Sequence, residues 1–308
     1  MKQSNILIDA ASKSNGASSV VLRDEIYRIA LTEENAKQLR ETAETVPSIS
    51  NWLSYEEASE ITATCFGALR LFNGCRVIHM PSYLKGLWEA CKLQAAASDN
   101  NLEWLETNRL AASASTSGEN LADFDTIVLA AGSGLFSGSI LTTDLMPVQL
   151  VKGQSVELKH LEDEDRNLLE HALLCGKYVS PLPDGRVLVG ATHEFKPELL
   201  SKELVVEELK ARTDAMIPDI WREMIFDRVT KGVRVQSKRG PQGRRPIIGR
   251  LPADLGRSIG HPNAWIFTGL SSCGLLYHGL YGKLLAQGVL DDCEDRILSK
   301  DKDVFWWR

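Results

Sequence analysis

Two regimes of hydrophobic patterning alternate along this chain of 308 residues. Near both ends the apolar residues form short continuous runs, as strands of a parallel sheet do when both faces are buried. Asn5 to Asp9 (NILID), Asp125 to Gly134 (DTIVLAAGSG) and Trp265 to Thr268 (WIFT) are the three such runs. A polar loop, Ser12 to Ser19, follows the first. A turn of small residues follows the last, Gly269, Ser271, Ser272 and Gly274, and opens a helix. That helix aligns Leu276, Leu280 and Leu284 on one face, with a smooth stripe of Gly279, Gly282 and Ala286 for close approach to a sheet. Further helices are predicted over Thr32 to Thr45, from the capping box of Ser54 and Glu57, and from Pro81. The last of these carries Leu84, Leu87, Trp88, Cys91 and Ala95 at helical spacing.

From Val148 onward the pattern shifts to β-prone runs with hairpin punctuation. Pro183-Asp184-Gly185 is a turn signal ahead of the strand Arg186 to Thr192. A helix over Lys202 to Ile217 stops at Pro218, and Gly232 to Ser237 (GVRVQS) is a further strand leading into the basic loop Lys238 to Arg250. Parallel-sheet elements at both ends, with antiparallel material between, predict two interleaved domains, one for a nucleotide cofactor and one for a substrate.

Composition narrows the function classes. The chain is 44% hydrophobic with a net charge of −6 and a pI near 5.6, which counts against bulk nucleic-acid or acidic-membrane binding. No apolar run reaches the length of a membrane span, and no secretory leader is visible. The six cysteines show neither CxxC pairing nor metal spacing and read as reduced thiols of a cytoplasmic protein.

Several residues carry candidate chemistry. The strand, glycine turn and helix N-terminus around Gly269 to Gly274 form a corner that accepts a phosphate or the electron-rich edge of a reduced cofactor. Asp9, at a predicted strand end, is a ribose-holding acid or a plain surface aspartate. Arg234, between Val233 and Val235, needs an anionic partner, either a salt bridge within the chain or a substrate carboxylate. Gly132, Ser133, Gly134 and Gly138 match a dinucleotide fingerprint only weakly, because no helical periodicity follows. His193-Glu194 lacks the second histidine of a zinc motif, while His278 and His79 suit packing or capping roles. The basic loop is read as a solvated turn, a lid or a phosphate contact.

Taken together, NILIDAASKSNGASS, DTIVLAAGSG, RVLVGATHE, GVRVQSKRGPQGRRPIIG and WIFTGLSSCGLLYHGLYGKLLAQ resemble the FAD-dependent amino-acid and amine oxidase family. The tail looks closest to the branch that includes the oxidase half of a bifunctional tRNA-modification enzyme. The resemblance implies an α/β plus α+β chain: a doubly wound, Rossmann-like FAD-binding domain, incomplete, interleaved with an antiparallel-sheet substrate domain. The expected boundaries are 1–19, 77–147 and 241–291 for FAD, 20–76 and 148–240 for substrate, and 292–308 as a tail. The family's first strand and its GxGxxG turn have no counterpart before Asn5, so a partial gene product, splice form or fragment is expected. A transit peptide in the absent segment would redirect the protein to a plastid or mitochondrion.

By the resemblance, Asp9 would take the adenosine ribose hydroxyls of FAD, Gly132 would end its strand beside the FAD, and Ser12 and Gly249 would be further cofactor-binding residues. Gly269, Ser271, Ser272, Cys273, Gly274 and Leu275 would present backbone N–H groups to the flavin. Arg234 would be the catalytic-site residue, holding a substrate carboxylate. The implied reaction oxidises a C–N bond of an amino acid or secondary amine by hydride transfer to flavin N5, with dioxygen or another acceptor reoxidising it and no metal required. The alternatives are oxidation of a modified tRNA base side chain, disfavoured by the acidic total, and a truncated isoform without flavin or activity. Oligomeric state is left open.

Overall fold

The computed structural model describes residues 2–16, 19–63, 65–104, 124–136, 141–160, 169–195, 198–240 and 243–298. In chain order the elements are α1 (Lys2–Ser14), β1 (Val21–Arg23), β2 (Ile26–Ile29), α2 (Glu33–Thr45), β3 (Ser50–Leu53), α3 (Tyr55–Ser59), β4 (Ala68–Leu71), β5 (Val77–Ile78) and α4 (Met80–Ala97). Then come β6 (Ile127–Leu129), β7 (Val148–His160), β8 (Leu173–Cys175), β9 (Lys177–Pro181), β10 (Val187–Gly190), α5 (Lys202–Thr213) and α6 (Pro218–Glu223). The chain continues through β11 (Met224–Ser237), β12 (Ile247–Arg250), α7 (Ala253–Ser258), β13 (Ala264–Thr268), α8 (Gly274–Leu290) and α9 (Asp295–Leu298). None of the described helices is long and apolar enough to cross a membrane.

Two compact units divide the chain: Met1–Leu7, Asn101–Val151 and Val233–Arg308 form one, and Ile8–Asn100 with Lys152–Gly232 the other. Residues 8–19 and 77–100 therefore group with the second unit, where the expected boundaries had put them with the cofactor domain. Local packing explains the difference, since β5 pairs with β1 and α4 lies against α1 within that unit. Gly138 and residues 299–308 of the expected tail lie outside the described residues.

In the second unit the order β11-β7-β10-β9-β8-β2-β4-β3 makes an eight-stranded sheet, whose strands β7 and β11 continue into the first unit. From β7 to β3 its pairings are antiparallel except where β2 meets β8. The hairpin expected at Pro183-Asp184-Gly185 is present, with Val187 opposite Pro181. Val156, Leu158, Val179, Val187 and Val189 line one face and meet Val205 and Leu209 of α5 in the main core. The capping box of Ser54 and Glu57 opens α3, and Thr32 caps α2. Pro218 opens α6 at its first turn, after α5 has already ended at Thr213.

Three elements differ from expectation. Residues 5–9 are helical, not a strand. Ser4, Ile8, Ala11 and Asn15 are buried at helical spacing, and half of that seam is polar, so three consecutive apolar residues passed for a strand. Helix α4 buries Ser82, Tyr83 and Gly86, while Leu84 and Cys91 of the expected stripe are exposed. Helix α8 buries Tyr281, Leu284, Leu285 and Gly288, leaving Leu276 and Leu280 about half exposed. Gly279 does permit a close approach, but to Ser4 of α1 and not to a sheet.

A side chain at Gly86 would meet the Ala11 carbonyl oxygen at 2.3 Å, so α1 and α4 touch backbone to backbone there. Gly86→Ala gains about 1 kcal/mol of helix propensity and incurs about 1–3 kcal/mol of overpacking. A net loss on the order of 1 kcal/mol is expected, read as a lower urea midpoint at unchanged slope. Just before β2, the Glu25 carboxylate is bonded by the Arg70 guanidinium of β4, which holds it below its usual range, with burial opposing and Tyr27 assisting. A depressed carboxylate stabilises the fold above its unfolded value of 4.5 and loses that contribution as pH falls through the folded value. Glu25→Gln is expected to flatten the acid limb of a stability profile taken between about pH 6 and pH 3, by no more than about 1 kcal/mol.

Candidate cofactor and substrate site

In the first unit the sheet order is β12-β13-β6. Strand β13 is the buried apolar run read from the sequence, with Trp265 and Ile266 wholly inaccessible to solvent. It lies parallel to β6, Ile266 opposite Leu129, and antiparallel to β12, Ile247 opposite Thr268. Two parallel strands in register deliver their carboxyl ends to one edge, which is where open α/β sheets bind ligands.

Both chains leave that edge the same way. Gly132 stands three residues beyond Leu129, and Gly269 three beyond Ile266. Both have left-handed backbones, φ 54° and 70°, which favour glycine. A β-carbon on Gly132 would meet open space; one on Gly269 would press on Ile247 at 3.2 Å. Across β13, Gly249 pairs with Ile266 and has φ 140°. Beyond Gly132 the chain makes only a short 3-10 turn through Phe136, not the helix that a dinucleotide fingerprint needs.

The turn after β13 carries polar groups that suit a ligand. Thr268 Oγ1 and Ser271 Oγ are both sealed from solvent without a hydrogen-bond partner. An unsatisfied buried hydroxyl costs about 1–3 kcal/mol, so two within four residues call for an explanation. Ser271 also has a positive φ of 55°, a strained backbone for a residue with a β-carbon. A 3-10 turn, Ser271–Cys273, leads into α8, whose N-cap Cys273 supplies no side-chain hydrogen bond. The first-turn N–H groups of this 17-residue helix are therefore not capped by its own side chain, and the space before Gly274 is open. Hydroxyls, N–H groups, a positive dipole end and side-chain-free approaches suit a ligand rich in hydrogen-bond acceptors that gains negative charge. A flavin ring that becomes reduced meets that description.

Arg234 is brought to this edge by backbone pairing, because Gln236, two residues on along β11, bridges to Leu270. Val235 points into the unit's core, so Arg234 and Gln236 lie on the opposite face of the strand. Arg234 is exposed and has no hydrogen-bond or ionic partner among the described residues. The salt bridge within the chain, one of the two partners considered for it, is thus not formed there.

Gly132, Arg234, Gly249, Gly269, Ser271, Ser272, Cys273, Gly274 and Leu275 all fall in this unit. Asp9 and Ser12 do not. They lie on α1, where Asp9 is held by Arg76 at 2.7 Å and Ser12 Oγ donates to the Ile8 carbonyl. The ribose assignment required a strand end, and a mid-helix ion pair does not provide one. His79 serves as a cap residue, its Nδ1 2.7 Å from Ser82 Oγ, and His278 Nδ1 is 3.1 Å from the Gly274 carbonyl oxygen. Thr268 was missed from the sequence, although a hydroxyl ending an otherwise apolar buried strand was its signal. Gln149 and Gln236 gave no signal, since their pairing joins positions 87 residues apart.

Comparison with known proteins shows the family. The profile of the FAD dependent oxidoreductases, DAO, matches residues 1–288. A glycine oxidase of Pseudomonas putida is 31% identical over 159 residues, spanning 51% of this chain and 38% of that protein. Among solved structures, the glycine oxidase of Bacillus cereus superposes with a TM-score of 0.69 at 17% identity, covering 97% of this chain and 81% of the other. That of Geobacillus kaustophilus gives 0.66 at 20% identity, with 95% and 78% covered. At such identities the structural likeness speaks to the fold, while the profile spans nearly the whole chain. The chain belongs to the FAD dependent oxidoreductase family.

Proposed function

We propose that the protein oxidises the C–N bond of a small amino acid or secondary amine, with Arg234 holding the substrate carboxylate. One observation carries this reading: a guanidinium with no partner among the described residues sits on a strand that is bridged, through Gln236 and Leu270, to the turn with two buried hydroxyls that have no hydrogen-bond partner there. Gly132, Gly249, Gly269 and Ser271 to Leu275 are the residues that would hold FAD. When bound, FAD supplies the acceptor for a hydride from the carbon next to nitrogen.

The chain's own part is positioning and electrostatics. A guanidinium grips a carboxylate through two parallel N–H donors, which fixes distance and orientation together. The free N–H groups at the start of α8, with the helix dipole behind them, favour negative charge developing in front of Gly274. The Thr268 and Ser271 hydroxyls donate without needing to reorganise, because both are already desolvated. An amine that enters neutral needs no strong side-chain base, which fits a turn built of hydroxyls and glycines. Dioxygen or another small acceptor would complete the cycle.

Two measurements test this reading. With FAD added to the purified chain, amine-dependent peroxide formation or dye reduction is expected for glycine and N-methylglycine. Arg234→Gln should lower kcat/KM for these carboxylates by about 10- to 100-fold, mainly through KM, and leave methylamine turnover unchanged. A chain that takes up no FAD, or an Arg234→Gln enzyme with unaltered KM, would overturn the reading. Gly274→Val should leave the melting temperature within a few degrees, since its side chain meets open space in the fold. It should nevertheless weaken FAD uptake at least about tenfold in a flavin-fluorescence titration, by filling the approach to α8.

A further inference from the structure

The face of β11 that carries Arg234 continues into a second cationic position. Gln236 Nε2 donates to Gln149 Oε1 at 3.1 Å, and Arg244 Nη2 reaches the same oxygen at 3.5 Å. Arg244 also donates through Nη1 to the Ser237 carbonyl, and the Arg245 backbone N–H bonds Ser237 Oγ at 2.9 Å. At Arg244 and Arg245 the basic loop is thereby tied back to the strand, while Lys238, Arg239 and Arg244 stay exposed. Val148 and Val235 both point into the core of this unit, so Gln149 and Gln236 sit side by side on its other face, between the two arginines.

Among the described residues neither arginine meets a carboxylate: Arg234 has no partner there, the bonds of Arg244 are to neutral oxygens, and both are exposed. Lys238 and Arg239, also exposed, add to the positive potential. Gln149 spends its carbonyl oxygen on its two neighbours, so its amide N–H groups remain as donors between the arginines. Two guanidiniums with amide donors between them form a cradle for one ligand that carries two carboxylates.

We infer that the substrate is an amino-dicarboxylate, its α-carboxylate on Arg234 and its second carboxylate on Arg244, with Gln149 and Gln236 lining the space between. The inference rests on the proposed role of Arg234 and extends it. Arg244 is then a specificity-determining residue, remote from the oxidised bond and silent toward substrates with a single carboxylate.

Equilibrium binding of glycine, aspartate and glutamate to the purified chain, followed by isothermal titration, separates the two claims without requiring turnover. Aspartate or glutamate is expected to bind about tenfold more tightly than glycine. Arg244→Gln should abolish that advantage and leave the glycine affinity unchanged, while Arg244→Lys, which keeps the charge, should retain part of it. Circular dichroism confirms that each variant is folded. Equal affinity for all three amino acids, or an advantage that survives Arg244→Gln, overturns the inference and leaves the role of Arg234 standing. If Arg234→Gln leaves glycine binding unchanged, or no amino acid binds, the α-carboxylate anchor itself is wrong and the inference falls with it.

Discussion

Everything at the candidate site depends on the parallel pairing of β6 with β13. A parallel ladder places both carboxyl ends on the same edge, and the register of Leu129 with Ile266 carries both chains to a left-handed glycine at the same height. Had the register slipped by one residue, the alternation of faces would have turned every side chain of the short strand over. The wholly buried Trp265 and Ile266 hold it against slipping, and Leu129, Ala264 and Ile266 share one core with Leu135 and Met146.

Around that edge the protein spends stability on polar groups left without partners. Two sealed hydroxyls, a serine with positive φ and an exposed arginine that has no carboxylate among the described residues fall within one compact unit. The other unit carries a dense network of paired charges. Glu157, almost wholly buried, receives both Arg186 and Arg228, and Arg186 also bonds Asp184 and Asp227. The Asp184 partner raises Arg186 far above its ordinary value, against the opposing effect of burial, and holds the Asp184 carboxyl below its own. A buried carboxylate with one partner removed is strongly destabilising, so this network reads as structural.

Strands and caps were legible where chemistry is local. The capping box of Ser54 with Glu57 and the turn at Pro183-Asp184-Gly185 each act within a few residues, and each forms as the sequence predicts. Helix faces were less legible. The stripe of Leu84, Leu87, Trp88, Cys91 and Ala95 has good helical spacing, yet the neighbour of α4 is the backbone of α1, which selects Gly86 and its flanking Ser82 and Tyr83. On α8 the same effect favours Tyr281, Leu284 and Leu285 over Leu276 and Leu280. Periodicity shows that a face exists; which face is buried depends on what lies opposite.

By itself the sequence determined the buried strand at Trp265, the glycine exit at Gly269, the helix that follows and the arginine at position 234, because each is written in consecutive residues. Only the tertiary structure decided that Ile6-Leu7-Ile8 belongs to a helix, that Arg234 finds no carboxylate among the described residues, and that Gln149, Gln236 and Arg244 share one face. The physical reason is range. Turn geometry and strand burial act between near neighbours, whereas the partner of a guanidinium or an amide is fixed by which distant strands the fold sets side by side.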